Sequence, residues 1–438
     1  MRKIPLYAVI QLIALQTFAQ NWVQVSNGFN DRVNHLYTDP LTNKLYAFGE
    51  FTYTDTTNVA GRATYDGIGW DTFPMPFPLW DVQRSYRFGN KLIFGGNSIY
   101  IYDGQSIATI ATTNSSVLGY STFQGDLIAY GHFDTINNIA AHSIARWDGS
   151  AWSAFDTTKF TQGIVAVQEY QGQLYIGGNF CNLNCSLNRL ARWNGNGWLP
   201  VGNGIPGSLG VSCFAIYNGD LYVAGGFKEA YNAPGNSVAR WNGSQWKDAG
   251  AGMTSLNAVV YDLQVYDGHL YACGQFYEMG DASIKGIAKW NGLEWCGLGQ
   301  QTTPSFHNFI IHCMQVYNNE LYIGGPFKTI DGDTVNYVAK WVGGNYVDTC
   351  AALTALPNIE THFTLTPNPA TTELSLQLSD PLPNATLQLY AIDGRTAMEP
   401  IKITEPTTTV SIAHLPAGIY IAHLHSSNGQ WQKKIVKY

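Results

Sequence analysis

Charge is what this sequence has least of. Asp, Glu, Lys and Arg make up 13% of the 438 residues, about half the usual share of roughly 25%. Long Glu/Lys/Arg-rich helical stretches are therefore missing. Clustered Lys and Arg are missing too, apart from Lys433, Lys434 and Lys437 at the C-terminus, and net charge is −7. A phosphate-binding surface needs such clusters, so nucleic acid is excluded as a partner. No apolar run is long enough to span a bilayer as a helix, so no transmembrane segment is expected. CxxC pairs are absent, which removes the usual zinc spacing. There is no P-loop, nucleophile elbow or HExxH, and no fingerprint of a cofactor. The ten histidines are scattered.

Two longer-range features frame the chain. Residues 1–19 read as a secretory signal peptide. Arg2 and Lys3 precede a short apolar stretch from Leu6 to Leu15. Thr17 to Ala19 offers a cleavage site before Gln20. Seven cysteines follow, an odd number, so at least one is free or paired between molecules. Cys181 and Cys185, four apart in a predicted loop, suit a disulfide in an oxidising compartment. Cys213, Cys273 and Cys313 fall within apolar strand patterns and read as buried thiols.

What the chain has in abundance is glycine (45) and aromatics (13%), and both recur with a period. Leu-Tyr-x-x-Gly-x-Phe begins at Leu45, Leu174, Leu221, Leu270 and Leu321, with variants at Leu92 and Leu127. Its fifth position is always glycine: Gly49, Gly96, Gly131, Gly178, Gly225, Gly274 and Gly325. A second half-motif, aromatic-x-Gly-x-x-aromatic, follows in each repeat, as in Trp193 to Trp198 and Trp241 to Trp246. It starts 19 or 20 residues after the leucine in most repeats and 10 in the second. Most periods run from 47 to 51 residues, the size of a propeller blade of roughly 40–50 residues.

Around Leu174 the pattern parses into four strands: 164–170, 174–180, 190–193 and 198–201. Asn-Gly and Gln-Gly between alternating runs mark tight hairpins. Seven copies predict seven blades over residues 20–350. The repeated Trp and Tyr are expected to pack blade against blade. Trp22 to Val25 resembles a fourth strand and is predicted to complete the last blade and close the ring. The connections between second and third strands are long (52–62, 134–143, 181–189, 228–237, 277–286 and 328–337), and so are most that lead from one repeat to the next, whereas the turns between first and second and between third and fourth strands are short. Any ligand site is therefore expected on the long-loop face and at the mouth of the central channel.

These glycines and spaced aromatics resemble kelch-type and galactose-oxidase-type repeats. They are closer still to the Leu-Tyr-x-Gly-Gly-x-Phe and Trp-Asn-Gly-x-x-Trp repeats of bacterial surface proteins. The resemblance implies an all-β, seven-bladed propeller and no particular activity. Ligands for a galactose-oxidase copper centre cannot be placed.

Beyond a linker at 351–360, residues 361–438 show a different alternation. Strands are predicted at 374–378, 387–390 and 420–424, with hairpin turns at Asp393-Gly394 and Asn428-Gly429. Pro367, Asn368 and Pro369 open this segment. Leu389-Tyr390 and Gly394 follow, then Leu415 to Tyr420 with Gly418, then Lys433 and Lys434. This order resembles the type A C-terminal sorting domain of the type IX secretion system in Bacteroidetes. That resemblance implies a small Ig-like β-sandwich, the type IX machinery as partner, and an exported protein that is secreted or held on the outer cell surface. The leading functional expectation is a non-enzymatic scaffold with an extracellular glycan or protein ligand. The alternative is a secreted carbohydrate-active hydrolase, lyase or oxidase with its site at the channel mouth. No catalytic, cofactor or metal residue is assigned. Asp331-Gly332-Asp333 and the pair His423 and His425 read as solvated or packing groups rather than metal ligands.

Overall fold

A computed structural model describes residues 21–438 except 56, 74–83, 183–185, 203, 206–208, 229–235, 248, 251, 253–257, 278, 280–283, 299–309, 344–345, 347–362, 379–381, 383–384, 392–395 and 427–428. The expected signal peptide and the linker at 351–360 lie outside the described residues. The chain divides into two compact units, Met1–Asp348 and Thr349–Tyr438. All regular structure among the described residues is β.

In the first unit each repeat folds as one antiparallel sheet of four strands in simple order. The fourth repeat is typical: Ile164–Tyr170, Gln173–Cys181, Asn188–Trp193 and Trp198–Pro200. These strands match the sequence reading to within two residues at each end. There are seven such sheets among the described residues. The first strand of each lies beside the first strand of the next, and that of the seventh lies beside that of the first.

The aromatic half-motif explains the outer hairpins. Its two aromatics sit directly opposite each other on the third and fourth strands, as in Trp193↔Trp198 and Trp241↔Trp246. Their ring centroids are 5.3 and 5.0 Å apart, a cross-strand contact worth about 0.5–1.5 kcal/mol beyond its buried area. Between them, Asn194 and Asn242 accept backbone N–H bonds from the turn with their side-chain oxygens. The glycines after them take positive φ (97° and 98°), which a Cβ would disfavour. The second sheet lacks a long loop. Its second and third strands, Lys91–Gly95 and Ser98–Tyr102, are joined by two residues, which accounts for the spacing of 10 in that repeat.

The repeat glycine has a different role. In five sheets the first strand carries a β-bulge opposite it, and the extra residues are Asn34, Leu118, Val165, Ser212 and Tyr261. The bulge presses a carbonyl against the glycine. A Cβ on Gly49, Gly131, Gly178, Gly225, Gly274 or Gly325 would collide with the carbonyl of Arg32, Ser116, Gly163, Gly210, Val259 or Ile310, respectively. Only glycine permits this approach.

Closure is shared between the two ends of the first unit. The strand Trp22–Gln24 pairs with Val338–Trp341 and supplies the fourth strand of the seventh sheet, as the Trp22 segment predicted. Trp22 is buried against Trp341 at 4.9 Å. Val33, Leu36 and Leu45 of the first sheet share an apolar cluster with Tyr317, Tyr322 and Val338 of the seventh.

Two carboxylates, one buried and one half-buried, tie neighbouring sheets. Asp39 in the first sheet is fully buried. It accepts bonds from Thr42, Tyr46 and Leu41, and it pairs with the Arg87 guanidinium of the second sheet. Burial alone would raise its carboxyl, but the Arg87 bond and the other donors outweigh this and lower it. Asp262 in the sixth sheet reaches the Met314 N–H of the seventh at 2.8 Å. No cation is bonded to it among the described residues, and burial, only partly opposed by the Met314 bond and the charge of Arg84, pushes its carboxyl up to about 6.

In the second unit, one sheet comprises Phe363–Thr366, Glu373–Leu378 and Thr407–Ser411. The other comprises Ile401–Lys402, Thr386–Ala391, Gly418–Ser426 and Gly429–Lys437. Leu365, Leu374 and Leu376 of the first meet Leu387, Leu389 and Leu424 of the second in one core.

Two outcomes follow from these contacts. Gly225→Ala should destabilise the chain by about 1–3 kcal/mol, as overpacking does, whereas Gly197→Ala, with nothing near its Cβ, should change stability by less than about 0.5 kcal/mol; urea melts read both. Asp262 holds its proton more tightly folded than unfolded. That contribution is complete below its ordinary value of 3.8 and is lost as pH rises through about 6. The stability of the native chain relative to Asp262→Asn should thus fall by about 2 kcal/mol between pH 4 and pH 7, and a flat difference would refute the assignment.

Candidate functional site

The bulges do more than fit against glycine. A bulged residue is left out of the ladder and its side chain is re-aimed. Here Asn34, Leu118, Val165, Ser212 and Tyr261 all line one cavity of about 520 Å³. Arg84 of the second sheet and His312, just ahead of the seventh sheet's first strand, occupy the equivalent places. One residue from each of the seven sheets thus faces a common space, with Glu50 at its edge. These residues stand where first strands begin and second strands end, on the long-loop face.

Polar groups dominate one side of this mouth. The His312 Nδ1 lies 3.2 Å from Asn34 Oδ1, and its ring meets Tyr261 edge-on at 5.8 Å. Burial, then the charges of Arg32 and Arg84, lowers the His312 pKa, so its ring is neutral at pH 7. The Tyr261 hydroxyl donates to Gln275 at 3.2 Å. Glu50 is paired with Arg32 at 3.0 Å, and both side chains are about half exposed (54% and 45%). Arg84 places Nη1 3.4 Å from His35 Nδ1. Burial and then Arg84 hold the His35 pKa well below its ordinary value.

Beneath the mouth lie Cys213, Cys273 and Cys313, all free and buried. Burial raises each thiol, and Asp262 adds to the effect. They are protonated, and they are the buried thiols that the strand patterns predict. Cys181 and Cys296 are disulfide-bonded. Cys185, the expected partner of Cys181, lies outside the described residues.

Among the described residues, no group of three His, Cys, Asp or Glu is placed to hold a metal. Asp331-Gly332-Asp333 forms the tip of a small hairpin between Thr329–Ile330 and Asp333–Thr334. His423 and His425 are 6.0 Å apart, ring to ring, and His423 packs on Tyr390 at 4.7 Å.

Most of the described sorting-motif residues are tied to the hairpin of Gly418–Ser426 and Gly429–Lys437. Pro367, Asn368 and Pro369 follow the strand Phe363–Thr366. The Asn368 side chain accepts the Val436 N–H at 2.9 Å, and Ala370 N–H donates to the Val436 carbonyl. The opening motif is thereby fixed to the strand that carries Lys433 and Lys434. Gly418 pairs with Lys437 in the same hairpin, and the Tyr420 hydroxyl donates to the Pro416 carbonyl at 2.7 Å. Gly394 lies outside the described residues.

The sequence places any ligand site on this face but does not mark the ring of lining residues. In five repeats the lining residue stands 13 positions before the repeat glycine, as with Ser212 and Gly225. Its identity varies freely, so no motif marks it.

No curated protein matches the chain. Among solved structures, the extracellular domain of BT4673 from B. thetaiotaomicron aligns at 13% identity over 93% of this chain and 70% of its own, with a TM-score of 0.37. The GH74 enzyme of Niastella koreensis aligns at 11% identity over 95% and 74%, with a TM-score of 0.36. Residues 364–438 match the family described as secretion system C-terminal sorting domain. No helix among the described residues is long and apolar enough to cross a membrane. The protein carries a type IX sorting signal, is exported, and is secreted or attached at the cell surface.

Proposed function

We propose that residues 20–350 are a kelch-like seven-bladed β-propeller that serves as a non-enzymatic binding scaffold, with its ligand seated at the mouth of the central channel. Residues 361–438 are then an Ig-like sorting module that the type IX machinery reads, with Pro367, Asn368, Pro369, Gly394, Gly418, Tyr420, Lys433 and Lys434 as its recognition elements. Cys181 pairs with Cys185 in this reading. The observation that carries the proposal is the cavity of about 520 Å³ to which every sheet contributes one side chain. Its volume falls in the range of small-ligand sites, about 300–1,000 Å³.

The lining chemistry favours binding over bond cleavage. Glycoside hydrolysis ordinarily uses two carboxyl groups flanking the scissile bond. Glu50 is the lining carboxylate among the described residues, and Arg32 already engages it. Asn34, Ser212 and Tyr261 instead supply amide and hydroxyl groups beside an aromatic face. That combination suits the hydroxyls of a saccharide, so a glycan is the favoured ligand.

A glycan array with the purified chain tests this directly. A saturable hit should weaken at least tenfold in Ser212→Trp, which fills the mouth, and should persist in Gln245→Ala on the short-turn face. The reverse pattern would refute the site. Deleting residues 364–438 should leave the protein in the periplasm, read by fractionation and immunoblot. Continued delivery to the medium or surface would refute the sorting role.

A further inference from the structure

Arg84 is the anomaly of the channel mouth. The chain is acidic overall, with 31 Asp and Glu against 24 Lys and Arg, yet the inner ring carries a guanidinium. Elsewhere partly buried arginines bond oxygens: Arg87 and Arg240 pair with Asp39 and Asp220, and Arg189 and Arg192 donate to neutral oxygens of Asn188, Ile205 and Gln173. Arg84 has no ion pair among the described residues; its recorded side-chain contact is the His35 ring at 3.4 Å.

The carboxylates nearby are engaged elsewhere. Glu50 pairs with Arg32. Asp262 takes the N–H groups of Leu263 and Met314. His35 and His312 are neutral at pH 7, so neither adds a second cation beside it. A guanidinium presents five donors in a planar fork. The contact with His35 uses one of them, and the residue lines an open cavity.

Asp262 feels the charge of Arg84 without bonding it, and a partly buried guanidinium that no carboxylate bonds is costly unless an anion arrives. A bidentate bond from Arg to an oxyanion is among the strongest polar contacts available to a protein. Asn34, Ser212 and Tyr261 share the cavity and can meet hydroxyl groups beside that anion. We infer that the channel mouth takes the oxyanion group, a carboxylate or a sulfate, of an acidic saccharide, with Arg84 as its fork. This rests on the channel mouth being the ligand site.

The test is calorimetric titration of the full exported chain with three oligosaccharides of one backbone: neutral, uronate-containing and sulfated. The acidic forms should bind at least tenfold more tightly than the neutral one, and increasingly weakly as salt rises. Whichever acidic form binds identifies the oxyanion. Arg84→Ala should remove the preference at least tenfold, and Arg84→Lys should retain part of it. The comparison of sugars on the native chain stands whether or not Arg84→Ala folds. Equal binding of neutral and acidic sugars, still blocked by Ser212→Trp, would overturn the anion inference and leave the mouth as the site. Failure of all three sugars to bind would overturn both.

Discussion

A carbonyl pressed against a glycine is the contact on which the first unit depends. At six places the end of a second strand has no side chain, and the start of the first strand bends inward over it. The bend forces out one residue per strand, and in five sheets that residue is a β-bulge. Two consequences follow from one steric fact. Neighbouring first strands can crowd together around an axis, and each sends one side chain into the central space. The glycine carbonyls also accept from the following sheet, as in Val117 N–H to Gly96, Ile311 N–H to Gly274 and Val33 N–H to Gly325. The last of these joins the seventh sheet to the first.

The same geometry separates the residues that must be kept from those free to vary. Buried Val33, Val117, Ile164, Val211 and Val260 each precede a bulge and fill the space between sheets. The bulged residue beside each is left out of the ladder register, so strand pairing does not dictate its side chain. Asn, Leu, Val, Ser and Tyr can all stand there without disturbing the scaffold. A rigid frame that presents a variable ring is the usual arrangement for recognition. Here it yields a mouth that is polar around His312, Asn34 and Tyr261 and apolar around Leu118 and Val165.

Much of this frame was legible in the sequence because its physics is local. Asn-Gly turns, cross-strand Trp pairs and alternating apolar residues each act within a dozen positions. The Trp22 strand was legible as well, because it repeats a fourth-strand pattern whose own sheet is missing. The ring of lining residues was not. Ser212 and Tyr261 share nothing but a distance from a glycine, and the bulge that aims them comes from backbone crowding that no residue type announces. Arg84 was harder still, since its repeat is the shortened one and the residue stands 12 positions before Gly96. The buried Asp39–Arg87 pair lies between repeats, where a one-repeat pattern cannot show it.

Amide hydrogen exchange measured by mass spectrometry tests the closed ring most directly. The account predicts that peptides covering residues 22–24 and 338–341, which pair across the two ends of the first unit, exchange as slowly as the first strands of the interior sheets. It predicts the same slow exchange for the Val33 amide. Rapid exchange of 22–24 together with Val33, with the other first strands still protected, would show that the seventh sheet is not joined to the first. A shared channel mouth would then have no rigid frame to stand on.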